Sequence, residues 1–169
     1  MALSELLLPE FDQEMAATRR VLDRIEDAKF DFKPHPKSMS MGKLASHIAE
    51  LTGWATAVLE GESFEVAPVG GPPMTPFLAA SKAEVLARFD AGVTAGHAAL
   101  AKASDAELTA NWSLLNGGRA MFTLPRMVTL RNFVFNHTVH HRAQLGVYLR
   151  LNDIAVPSIY GPSADEGRA

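Results

Sequence analysis

His137 and His141 stand four residues apart, and His47 lies far upstream of them. Imidazole is the commonest metal-ligating side chain. Four residues are just over one helical turn, so His137 and His141 share a helix face, about 40° apart by the 3.6-residue period. If His47 faces them from a neighbouring helix, three nitrogen donors form one side of a coordination sphere. The other side then stays open for water or substrate.

The conjunction carries more weight than its parts. A lone histidine on an apolar stripe is usually structural, and His47 sits on one, between Leu44 and Leu51. Three buried imidazoles without a cation leave polar atoms unmet. A shared ion removes that penalty. His140 is three residues from His137 but about 100° from His141, so the His137/His141 pair is preferred. His140 is assigned to the bundle edge or to orienting a ligand. Glu50, one turn from His47, is placed to accept the second ring N–H or hold a water. His35 and His97 read as surface or packing residues.

Other chemistries are poorly served. The chain has no cysteine, which excludes disulfides, thiolate ligands and a cysteine nucleophile. It contains no His-Glu-x-x-His and no Glu-x-x-His, the signatures of zinc peptidases and of di-iron carboxylate bundles. No nucleophile elbow surrounds Ser40 or Ser46. A net charge of −3 without a basic cluster argues against a nucleic-acid partner. No apolar run approaches the ~18 residues of a membrane span, and the first residues lack the basic start of a signal peptide. A cytoplasmic protein with no membrane partner is the expectation.

The positioning elements follow from periodicity. With 169 residues the chain suits one domain. A first helix is predicted from about Pro9 to Asp27, with Phe11, Met15, Thr18, Leu22 and Ile25 at helical steps and Pro9 in the first turn. A loop over 30–40 ends in an N-cap serine, Ser38 or Ser40. The second helix runs from about Met41 to Leu59 and stops at Gly61. A proline- and glycine-rich crossover over 61–76 follows. The third helix starts at a capping box, Ser81 to Glu84, and reaches about Ala103. Its Gly92 and Gly96 weaken it and allow a close helix contact. Ser104 to Glu107 suggests an extra turn, and Asn116-Gly117-Gly118 a small hairpin or wide turn. The fourth helix spans about Pro125 to Leu151 and stops at Asn152-Asp153. The irregular tail, 153–169, is positioned to fold back through Ile159 and Tyr160. The expected class is all-α: a four-helix bundle with a long crossover connection.

The segment Asn136-His-Thr-Val-His-His-Arg-Ala-Gln-Leu-Gly-Val-Tyr-Leu149 resembles the last-helix signature of the DinB-like superfamily of metal-binding four-helix bundles. The Gly-Lys-Leu-Ala-Ser-His-Ile-Ala-Glu segment ending at Glu50 resembles that family's second-helix motif. The likeness extends over most of the chain, including the Val156–Glu166 tail. It implies metal ligation by His47, His137 and His141, with Arg142 and Gln144 in support. Ala143 stands where glycine is usual, and Thr138 where an acidic residue is frequent. The family includes bacillithiol- and mycothiol-dependent transferases, so the resemblance also implies a divalent ion (zinc or nickel first, then iron), a small-molecule thiol co-substrate and a homodimer. The leading functional expectation is a metal-dependent enzyme of the thiol S-transferase or hydrolase kind. The alternative is a non-catalytic, stress-linked metal- or ligand-binding protein, its site saturated by a tail ligand such as Asp165 or Glu166.

Overall fold

The computed structural model describes residues 1–167. Helix α1 covers Leu3–Asp23, α2 Met41–Leu51, α3 Gly53–Glu60, α4 Lys82–Lys102 and the short α5 Asp105–Thr109. The last rod begins as α6, Arg126–Thr129, passes through a π-helical stretch, Leu130–Asn136, and continues as α7, His137–Leu151. Three strands accompany the helices: β1 Ser63–Glu65, β2 Asn111–Asn116 and β3 Arg119–Pro125. The expectation of an all-α chain is therefore corrected to a predominantly helical fold with a small sheet.

The helix starts obey capping chemistry. The Ser40 hydroxyl accepts the Lys43 amide at 3.3 Å, which selects it over Ser38 as the cap. Ser81 accepts from Glu84, and Ser104 and Glu107 form a reciprocal capping box. Helix α1 departs from the predicted start. It begins at Leu3, whose N–H donates to Asp105 Oδ1 at 2.7 Å, while the Ala2 N–H donates to Glu5. Pro9 thus lies inside the helix, on an exposed face where the carbonyl that its missing N–H leaves free is not forced into the core. The helix also ends earlier than expected, at Asp23.

The rod predicted over 41–59 breaks once, at Thr52, whose hydroxyl donates back to the Ala49 carbonyl. Both halves pack on α4, and α1 packs on α4 and α7. Glycine makes that approach feasible. A Cβ on Gly92 would lie 1.9 Å from Thr52 Oγ1, and one on Gly96 would lie 3.0 Å from the Ala55 Cβ. The core between these helices is apolar and closed, with Phe11, Met15, Leu22, Leu44, Ile48, Phe89 and Leu145 all buried. Phe11 and Phe135 bring α1 against the last rod, ring centroids 5.9 Å apart.

The sheet order is β1-β2-β3. Strands β2 and β3 form the hairpin expected around Asn116-Gly117-Gly118, and both glycines adopt positive φ. Strand β1 pairs parallel to β2, with Phe64 opposite Leu114. The periodicity of the crossover gives no sign of it. The Glu65 carboxylate accepts the amides of Gly117 and Gly118, tying that crossover to the hairpin tip. The chain reverses out of α7 at Asp153, in the left-handed region at φ 58°.

Candidate metal centre

The ring nitrogens of His47, His137 and His141 converge. His47 Nε2 lies 3.3 Å from His137 Nε2, and His137 Nε2 lies 2.9 Å from His141 Nε2. One nitrogen from each residue falls within 4.8 Å of the others. Helix α2 supplies His47 and α7 supplies the other two, one turn apart. All three side chains are half-buried.

The outer nitrogens decide what the inner ones can do. His141 Nδ1 lies 2.8 Å from Gln144 Oε1, and in this orientation of the amide Nδ1 carries the proton. The other end of the amide, Gln144 Nε2, lies 3.2 Å from His140 Nε2. His137 Nε2 faces both of the other histidines. His137 Nε2 and His141 Nε2 face each other at 2.9 Å, and a cation between them would be met by a lone pair from each neutral ring. Metal–nitrogen bonds of about 2.0–2.1 Å place neighbouring donors roughly 2.9 Å apart at a right angle and roughly 3.3 Å apart at a tetrahedral angle. The two separations of 2.9 and 3.3 Å match that range, and all three nitrogens lie within 4.8 Å of one another, so the residues fit a divalent cation.

Burial favours the ligating, neutral form of each ring. It is the main reason the His47 pKa is pushed down to about 4, with His141 and His137 adding like-charge repulsion. His137 is lowered by burial first, then by His141 and His140. His141 is lowered by burial, against the opposing hydrogen bond to Gln144.

The other predicted residues divide. His140 and Gln144 form the chain of hydrogen bonds that orients His141. Glu50 stays one turn from His47, but its Oε1 accepts the Phe77 amide at 3.1 Å and so holds the crossover. Arg142 points away from the histidines. It is buried, pairs with Glu14 at 2.8 Å, donates to Thr18, and donates to the Tyr160 hydroxyl at 2.6 Å. It anchors the returning tail. Thr138 is fully buried, and among the described residues its hydroxyl has no partner. Ser46 is also buried, donating to the Gly42 carbonyl and accepting the Ala79 amide. His35 and His97 are exposed, His97 beside Asp12.

Sequence reasoning missed two features. The first is an aromatic wall leading to the centre: Trp54 to Phe133 at 6.3 Å, then Phe133 to His137 at 6.3 Å. The seven-residue step from His47 to Trp54, two helical turns, was the available signal. The second is Glu14, a carboxylate within the α1 apolar stripe beside Phe11, Met15 and Thr18, which signals a buried cationic partner.

The fold and site define a predominantly helical protein with a three-imidazole centre between two of its rods. The chain belongs to the DinB superfamily, whose sequence profile matches residues 10–145. Among solved structures, it is similar to a DinB-like protein from Bacillus cereus ATCC 10987, with a TM-score of 0.71 and 21% identity, covering 94% of this chain and 98% of that one. It is also similar to a DinB-like protein from Bacillus subtilis, with a TM-score of 0.69 and 16% identity, covering 97% and 99%. No curated protein matches the chain.

Proposed function

We propose that this protein is a metal-dependent enzyme of the thiol S-transferase or hydrolase kind, with His47, His137 and His141 holding a divalent cation. The observation that carries this reading is the convergence of ring nitrogens from His47, His137 and His141, supplied by two helices, within 4.8 Å of one another. Zinc or nickel suits an all-imidazole set best, and iron is a further choice. A cation there would supply Lewis acidity, polarising a carbonyl or lowering the pKa of a water or a thiol. The protein's own part is to keep three rings neutral, aim His141 through Gln144, and wall the approach with Trp54 and Phe133. A thiol co-substrate must come from a small molecule, because the chain has no cysteine.

The rival reading, a saturated non-catalytic site, requires a fourth protein ligand. Its two candidates are committed elsewhere: Asp165 pairs with Arg150 and accepts the Val156 amide, and Glu166 pairs with Arg24 and accepts the Ser158 amide. That supports an open centre. The test is metal analysis of untagged protein, followed by a panel of small thiols with electrophiles and activated esters. One ion per chain and turnover that vanishes in His47→Ala are expected. An ion-free protein, or a loaded one that exchanges neither thiol nor water, overturns the proposal.

A further inference from the structure

A crevice of about 120 Å³ opens further along the rod that carries His47, lined by Glu50, Trp54, Phe64, Met74 and Arg88 among others. Its position follows from the rod that carries His47: Glu50 is one turn further along and Trp54 two turns, on the same side. Trp54 packs edge-on against Phe64 at 4.9 Å and leads through Phe133 to His137. The volume is below the ~150 Å³ of an enclosed cavity that holds a benzene ring, but the crevice is open to solvent, so an aromatic ligand would enter it only in part. The walls are mostly apolar, with one carboxylate and one guanidinium, the composition typical of a small-molecule site.

The two charged groups are available. Among the described residues, neither Glu50 nor Arg88 makes an ion pair. Glu50 spends one oxygen on the Phe77 amide, and Arg88 rests over the Phe77 ring at 5.7 Å. Each is thus steadied by the same residue without being neutralised by the other. A purely anionic ligand would meet Glu50, and a purely cationic one would meet Arg88. A ligand bearing both charges satisfies the pair.

We propose that this crevice binds a zwitterionic small molecule with an apolar or aromatic group, of the chemistry of an aromatic amino acid, its carboxylate on Arg88 and its ammonium on Glu50. The apolar group lies against Trp54 and Phe64. As a substrate subsite the crevice rests on the metal-centre reading above; as a binding site it does not.

Calorimetric titration tests it, with L-phenylalanine, 3-phenylpropionate and phenethylamine as probes, on zinc-loaded and metal-free full-length protein. The metal-free arm excludes simple chelation of the ion by the amino acid. The Trp54 indole resonance is followed in parallel. L-Phenylalanine is expected to bind about tenfold tighter than either singly charged analogue in both forms, because each charge-assisted contact contributes about one decade. Arg88→Gln and Glu50→Gln are each expected to weaken it about tenfold. In Glu50→Gln the introduced amide oxygen still accepts the Phe77 N–H, so the crossover stays held. Should Glu50→Gln fold poorly, Arg88→Gln, at an exposed position, decides alone. Equal binding of the three probes, or a zwitterion affinity untouched by Arg88→Gln, overturns the inference. Zinc titration of the same samples separates this failure from failure of the metal centre.

Discussion

Gln144 Oε1 sits 2.8 Å from His141 Nδ1, one turn further along α7. That contact orients the His141 ring with its Nε2 inward, facing His137. Partners of this kind typically account for about 10–100-fold of metal affinity. Gln144→Ala is expected to weaken zinc binding by about that factor, read by calorimetry with a competing chelator. Gln144→Glu, which keeps an acceptor, should retain affinity. An unchanged constant in Gln144→Ala would show that His141 is oriented by packing alone.

The depressed histidine pKa values predict how the metal-free protein responds to acid. His47 is pushed down to about 4, mainly by burial, and His137 and His141 are lowered for the same first reason. The unfolded chain, with histidine near ~6.5, takes up protons first as pH falls. Between about 6.5 and 4 the unfolded state binds more protons, so stability declines as pH drops through that window. Above it these groups contribute no slope. Urea midpoints of metal-free protein from about pH 7.5 to 4.5 should fall, and less steeply in His47→Gln. Parallel slopes for the two proteins would contradict the assignment.

Removing Arg142 strands a carboxylate. The Arg142 and Glu14 side chains are 4% and 10% exposed. Breaking a buried pair by deleting one partner costs about 3–5 kcal/mol. Arg142→Met is therefore expected to lose that much stability by chemical denaturation, and to free the tail that Tyr160 tethers. Arg150→Ala, which removes a solvent-exposed pair with Asp165, should leave the midpoint near wild type. Similar losses for both would mean that tail docking, not the buried charge, dominates.

Two glycines should respond oppositely to alanine. At Gly92 the added methyl would stand 1.9 Å from Thr52 Oγ1, so α3 and α4 must separate, at about 1–3 kcal/mol. Thr52→Ala in the same chain should recover part of it. At Gly146 the nearest atom is 3.9 Å away, and alanine is expected to stabilise the helix by up to ~1 kcal/mol. Thermal melts of the three variants check the order.

Much of this arrangement is legible from local patterns. The three serine caps, Ser40, Ser81 and Ser104, mark helix starts because a short hydroxyl serves an orphan amide within its own turn. The hairpin at Gly117 and Gly118 is legible because only glycine enters that turn without strain. The spacing of His137 and His141 is legible because both lie on one helix. Strand β1 is not: three residues carry no usable period, and their partner strand lies some fifty positions away. Nor is the start of α1 at Leu3, since its cap comes from Asp105, across the molecule. Arg142 reads as part of the centre from its neighbours in the chain, whereas its partner is chosen by the packing of α1 on α7.

What the primary sequence determined by itself was an inventory and a set of local phases: which imidazoles share a turn, which serines cap, and that no thiol competes for a metal. Those follow from bonds and contacts within a few residues. The tertiary structure alone decided that His47 meets His137 across ninety positions, that Glu50 faces the crossover, and that Asp165 and Glu166 bind arginines rather than an ion. Such pairings depend on the distance and rotation between helices, which no local pattern of the chain specifies.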